Sequence, residues 1–191
     1  MAVKILAFAG SAREDSFNKK LVRTAAEAAK KLGAQVTVVD LRDYPMPLFD
    51  QDLESNEGLP AKAKALKELF KSHDALLIAC PEYNSSITPL LKNTLDWISR
   101  QESAEAGLIA YKGKVAALLS ASPGALGGLR GLVHVRAILG NIGVLVLPTQ
   151  FALSKAHEAF NADGSLKDVK QQESVDRLAG ELVQLAAKVA S

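Results

Sequence analysis

Short apolar runs along the chain alternate with longer stretches of helical spacing. Val3–Ala9 (VKILAFA) ends at Gly10 and is too short for a typical helix, so it predicts a buried strand. Leu21, Ala25, Ala28 and Leu32 then recur at helical spacing until Gly33 stops the run. Gln35–Asp40 (QVTVVD) is alternating and β-branched, which predicts a second strand. The polar, proline-bearing stretch Leu41–Leu59 reads as a long connection. Leu59, Ala63, Leu66 and Phe70, with Pro60 near the start, predict the next helix. Ala75–Cys80 (ALLIAC) is a third strand, closed by Pro81. Thr88 and Pro89 have the form of an N-cap and first helical residue ahead of LLKNTLDWISR. Lys114–Leu119 (KVAALL) and Ile142–Leu147 (IGVLVL) predict strands four and five, with a helix over Leu129–Leu139 between them. From Val169, the spacing Val175, Leu178, Leu182, Leu185 and Val189 predicts a closing amphipathic helix.

Five β-α units in succession predict an α/β fold: one mostly parallel sheet with helices on both faces. With five strands the expected order is the flavodoxin-like 2-1-3-4-5. Ligands of such sheets sit beyond the carboxyl ends of the strands, where the strand order reverses. The sequence has no internal repeat and no linker, so residues 1–191 are expected to form a single domain.

Composition narrows the classes. The chain is 48% hydrophobic and 23% charged, which excludes disorder, collagen and coiled coil. One cysteine excludes an internal disulfide and any multi-cysteine metal cluster. A net charge of +2 with the signs interspersed gives no nucleic-acid surface. No stretch approaches the roughly 18 apolar residues of a membrane span. The start MAVKILAFAGSAR lacks a signal-peptide apolar region, so the expected address is cytoplasmic.

The fold rule singles out the loops after strands one, three and four. The first, Gly10–Asn18, offers the hydroxyls of Ser11 and Ser16, the amide of Asn18, the guanidinium of Arg13 and the positive end of a helix. That set suits a phosphate dianion. It equally suits a plain capped helix, with Ser16 or Asn18 as the cap and Glu14 and Asp15 against the dipole. Neither a dinucleotide G-x-G-x-x-G nor a P-loop is present. The second loop, Pro81–Ser86, carries an aromatic ring, an amide and hydroxyls, which can lie along a flat heterocycle or simply make a turn. The third, Ser120–Gly128, holds glycines that permit close backbone approach to a ligand or a flexible turn.

Taken together, GSAREDSFN, PEYNSSITPLLKNTLDW and SASPGALGGLRG resemble the NADPH-dependent FMN reductase family, in the same order over about Val3–Leu147. Its members include quinone, azo-dye and chromate reductases. The resemblance implies bound FMN, NADPH or NADH as co-substrate, a quinone, azo, chromate or flavin acceptor, and a homodimer or homotetramer. It implies that Ser11, Arg13, Ser16 and Asn18, with Phe17 among them, hold the FMN phosphate. Pro81, Glu82, Tyr83 and Asn84 would line the ribityl chain and ring, and Ser120, Ala121, Ser122 and Gly124 the far side. No catalytic side chain is expected, because the flavin carries the redox chemistry. Tyr83 is either an auxiliary wall or proton relay, or a packing residue of its loop. Where the family has Pro-Gly after PEYN-x-S, this chain reads Thr88-Pro89, a departure that reshapes the helix start and leaves flavin contacts from Ser86 and Ile87 open.

Other residues have plainer expectations. Cys80 lies in an apolar run and is expected to be buried packing. His73, His134 and His157 lack metal-ligand spacing, so no metal site is expected. Leu91, Leu95, Trp97 and Ile98 are expected as core or subunit contact on the helix Leu90–Arg100. By resemblance, Arg100 pairs with a carboxylate, with Glu82 of the partner subunit as the candidate. Arg130 is expected at the surface, or facing an anion such as an NADP phosphate. The rival function is a flavodoxin-type electron carrier that binds FMN without using nicotinamide. Such carriers are usually strongly acidic, and the net +2 speaks against that.

Overall fold

The computed structural model describes residues 2–102 and 105–190. In chain order the elements are β1 (Lys4–Ala9), α1 (Phe17–Lys31), β2 (Gln35–Val39), α2 (Gln51–Glu57), α3 (Ala61–Ser72), β3 (Ala75–Ala79), β4 (Glu82–Tyr83), β5 (Ser86–Ile87), α4 (Pro89–Ser99), β6 (Val115–Ala121), α5 (Leu129–Asn141), β7 (Leu145–Leu153) and α6 (Val169–Val189). The main sheet runs β2-β1-β3-β6-β7, with every neighbouring pair parallel. Counted within that sheet, this is the expected order 2-1-3-4-5.

The pleat of β1 divides the core. Ile5, Ala7 and Ala9 face the layer of α1 and α6, while Leu6 and Phe8 face α3, α4 and α5. Strands buried on both faces are apolar at every position, which is why their sequences read as continuous runs. Strand order reverses between β1 and β3, so the loops after these strands open at the crevice where such sheets bind ligands.

The structure departs from the sequence reading in four places. The connection 41–59 holds a 3-10 turn, Leu41–Asp43, and the short helix α2. Asp50 caps α2 by accepting from the amides of Asp52 and Leu53. Leu53 is the only large apolar residue in that helix, so periodicity had nothing to register. The fifth strand begins at Leu145 rather than Ile142, because α5 runs on to Asn141 and the chain turns at Gly143, where φ is +87°. It then continues to Leu153, past Pro148. A register shift opposite Ala116–Leu118 absorbs this residue, which has no N–H to give the ladder. Strand β6 extends to Ala121, two residues beyond Leu119. Finally, the second loop is itself a two-stranded hairpin, β4–β5, whose tip residues Asn84 and Ser85 have φ of +49° and +65°. Two successive positive φ values are the signature of a type I′ hairpin turn.

Among the described residues, no helix is long and apolar enough to cross a membrane.

Candidate functional site

The site starts at the end of β1. The Gly10 amide completes the ladder by donating to the Ala79 carbonyl at 2.9 Å, and the chain then leaves the sheet. Gly10 is needed for close approach: a Cβ there would lie 2.9 Å from the Leu91 Cβ on α4. Ser11 Oγ accepts from the Arg13 amide at 3.3 Å, which curls the loop. Ser16 is the N-cap of α1, and its Oγ accepts from the Lys19 amide at 3.4 Å. Asn18, the other candidate cap, does not cap the helix. The amides of Ser11, Phe17 and Asn18 have no acceptor among the described residues, and neither does the exposed Arg13 guanidinium. The first turn of α1 carries no acidic residue. The result is a set of free donors at the positive end of a helix.

Three side chains tie the loops together. Asn18 is buried. Its Nδ2 donates to the Ala121 carbonyl at 2.8 Å and its Oδ1 accepts from the Ala121 amide at 2.9 Å. Thr88 Oγ1 donates to the Gly10 carbonyl at 2.7 Å. Glu82 spans the second and third loops: Oε2 accepts from the Gly131 amide at 3.0 Å, and Oε1 from Arg130 at 2.8 and 3.0 Å. Burial acts to raise the Glu82 pKa, but the Gly131 amide and the Arg130 guanidinium outweigh it and hold the carboxyl below its usual range. Glu82 thereby serves as the side-chain cap of α5, whose own N-cap is Gly128. Gly128 has φ +90°, and a Cβ there would meet the Ser120 Cβ at 2.9 Å.

These contacts settle where each expected residue stands. Ser11, Arg13, Ser16, Phe17 and Asn18 gather at one helix start, with the Asn18 side chain turned to the third loop. Pro81 is buried, Glu82 is clamped, and Tyr83 and Asn84 stand exposed on the hairpin. Ser120 and Ala121 lie within β6 rather than in a loop. Ser120 is wholly buried, with no hydrogen-bond partner for its hydroxyl. Ser122 accepts from the Gly124 amide at 3.1 Å and shapes the turn that follows. Concavities of about 570 and 630 Å³ lie against α1 and the segment 161–166 and around Arg100, while the three loops present the exposed Arg13, Tyr83, Asn84 and Gly124 as an open shelf.

Several other expectations change. Arg100 pairs with a carboxylate of its own chain, Glu54, at 2.7 Å and lies over the Phe49 ring. Arg130 has Glu82 as its anion. Leu91, Leu95, Trp97 and Ile98 are all buried within the chain, and Trp97 Nε1 donates to the Pro47 carbonyl at 2.8 Å. Helix α4 therefore turns its large apolar residues inward. The exposed apolar residues beside the shelf are Tyr83, Leu126, Leu129 and Val133. Cys80 is buried, and burial pushes its thiol far above the range in which a thiolate forms at neutral pH.

The sequence identified Thr88 only as a helix cap. Its link to Gly10 spans 78 residues and has no local signal.

Residues 3–158 match the family of NADPH-dependent FMN reductases. The chain belongs to this family. Among FMN reductases and their kin, it is 33% identical over 176 residues to the NAD(P)H-dependent FMN reductase of Pseudomonas aeruginosa, covering 92% of this chain and 90% of that one. It is 31% identical over 183 residues to the quinone reductase of Escherichia coli, covering 94% and 92%. The solved structure of the flavoenzyme NAD(P)H:(acceptor) oxidoreductase from Paracoccus denitrificans superposes with a TM-score of 0.83 at 28% identity, covering 98% of each chain.

Proposed function

We propose that the three loops form the FMN site of an NAD(P)H-dependent oxidoreductase that reduces quinones. The chain is an FMN-dependent enzyme of the reductase type, with a small-molecule acceptor. When bound, FMN supplies the two-electron chemistry between nicotinamide and quinone. The protein's task is to bind, orient and shield.

The observation that carries the assignment of residues is the group of unpaired donors after β1. The Ser11, Phe17 and Asn18 amides and the Arg13 guanidinium suit a phosphate dianion. Ser16 serves in two ways. Its oxygen caps α1 by accepting from Lys19, and its own proton remains available to a phosphate oxygen. Tyr83 and Asn84 would line the ring and ribityl chain, and Ser122 and Gly124 would close the far side. Asn18 and Glu82 act chiefly by holding the loops in register. The open shelf admits acceptors of varied shape.

We further infer a cytoplasmic homodimer or homotetramer of one-domain chains. The lone buried thiol agrees with a reducing compartment. Tyr83, Leu126, Leu129 and Val133 form an apolar surface continuous with the shelf, where a second copy would shield the flavin.

Titrating FMN into the flavin-free chain tests the site, and steady-state rates with NADPH and NADH against a panel of acceptors test the reaction. One FMN per chain and quinone turnover are expected. Failure to bind FMN at micromolar concentration overturns the site. Flavin that binds but is not bleached by either nicotinamide favours the electron-carrier reading.

A further inference from the structure

We propose that Thr88 is a positioning residue that sets the plane of the Gly10–Ser11 peptide, and so makes the Ser11 amide a donor for the flavin phosphate. This rests on the FMN reading above. Thr88 is 2% exposed. Its hydroxyl has one proton, and that proton goes to the Gly10 carbonyl at 2.7 Å, while its oxygen accepts from the Leu91 amide at 3.2 Å. The same side chain therefore caps α4 and holds the first peptide of the phosphate loop.

The geometry of that peptide does the rest. No cis peptide bond occurs among the described residues, so the Gly10 carbonyl and the Ser11 N–H lie in one plane and point in opposite directions. With the carbonyl directed at Thr88 and the start of α4, the Ser11 N–H faces away from α4. It meets no acceptor among the described residues. A flipped peptide would present a carbonyl lone pair in its place, which repels an anion.

Gly10 cannot choose between the two by itself. A glycine has no Cβ to restrict its backbone, and no larger residue fits there, because the Leu91 Cβ would be 2.9 Å away. The Gly10 N–H is fixed by Ala79, but the peptide that follows it is free to turn. Thr88 supplies the missing restraint from another loop.

The test compares FMN and riboflavin binding to the wild-type chain, Thr88→Val and Thr88→Ser, with the Ser11 amide followed by NMR. Thr88→Val removes the hydroxyl at similar volume, and Thr88→Ser keeps it. Losing a hydrogen bond to a charged group predicts FMN weakened about tenfold or more in Thr88→Val, with riboflavin within about twofold of wild type. Thr88→Ser should restore FMN binding. In the wild type the Ser11 amide proton should move downfield when FMN, but not riboflavin, is added.

Equal losses of FMN and riboflavin in Thr88→Val would show that Thr88 is only a helix cap, and would leave the flavin reading intact. So would unchanged FMN binding. A Ser11 amide that ignores FMN in the wild type overturns the proposal without any variant, even if Thr88→Val fails to fold. A wild-type chain that binds neither flavin sinks the FMN reading and this proposal together.

Discussion

Asn18 and Ala121 exchange two hydrogen bonds across 103 residues of chain, at 2.8 and 2.9 Å. One buried amide side chain thus satisfies both polar groups of a residue at the end of β6. It fastens the start of α1 to the third loop. Asn18→Leu leaves the Ala121 N–H and C=O buried without partners. Each orphaned group costs about 1–3 kcal/mol. The expected fall in melting temperature is therefore about 4–24 °C. Asn18→Asp sets a buried carboxylate oxygen against the Ala121 carbonyl, so its fall at neutral pH should be no smaller. A thermal melt of each variant that matches wild type would show that water takes over the Ala121 groups.

Ser16 and Arg13 separate in their effects. The exposed Arg13 side chain makes no hydrogen bond or ion pair among the described residues, so Arg13→Ala should leave the melting temperature of the flavin-free protein unchanged. It should weaken FMN binding by about ten- to a hundredfold and riboflavin hardly at all. Ser16 is both cap and phosphate donor. Ser16→Ala should lose about 1 kcal/mol of stability through the cap and also bind FMN less tightly relative to riboflavin. Calorimetric titration of both flavins decides it, and equal losses for the two flavins would remove the phosphate from this loop.

The legible parts of the sequence were those written in local patterns. Strands buried on both faces announced themselves as apolar runs, and the alternation with helices gave the sheet order. The positions hidden from it depend on distance in space. Nothing near Thr88 signals Gly10, and nothing near Arg100 signals Glu54. The hairpin β4–β5 has only two residues per strand, too few to show an alternation. Helix α4 left two readings open, core or subunit contact. Its apolar residues are real, but Pro47, Leu59 and Ala63 from the connection 41–59 and from α3 cover Trp97 within the same chain. A sequence gives the amount of apolar surface on a helix but not which neighbour covers it.

Glu82 makes the second and third loops sensitive to acid. Its pKa is held below the ordinary value of 4.5 by Gly131 and Arg130. A carboxyl depressed on folding contributes stability that is fully present above its unfolded pKa and fades as pH falls through its folded one. The clamp should therefore be intact from neutral pH down to about 5 and weaken below about 4.5. Glu105, held near 2 by Lys67 and Lys71, stays ionised through most of that window. Asp40 titrates alike in wild type and variant. Glu82→Gln should be less stable than wild type at neutral pH, and the gap should close as the pH drops. Melting curves at a series of pH values check this, and a gap that stays constant would mean that the charge of Glu82 contributes nothing.

The last prediction concerns how copies of the chain meet. Val133 is 59% exposed and Leu129 41%, one turn apart on α5, while Leu95 on α4 is 1% exposed. If α5 and the hairpin make the subunit contact, a charge there should break it without harming the fold. Val133→Lys should lower the mass in solution to that of a single chain and leave the melting temperature of the monomer close to wild type. Leu95→Ala should do the reverse. It opens a cavity worth about 2–5 kcal/mol in the core and should depress melting without selectively dissociating the assembly. Light scattering with a parallel thermal melt reads both. Dissociation by Leu95→Ala at full stability would return the interface to α4. A Val133→Lys chain that keeps its assembly would place the contact away from this face of α5, and a wild-type chain that is already monomeric would remove the contact altogether.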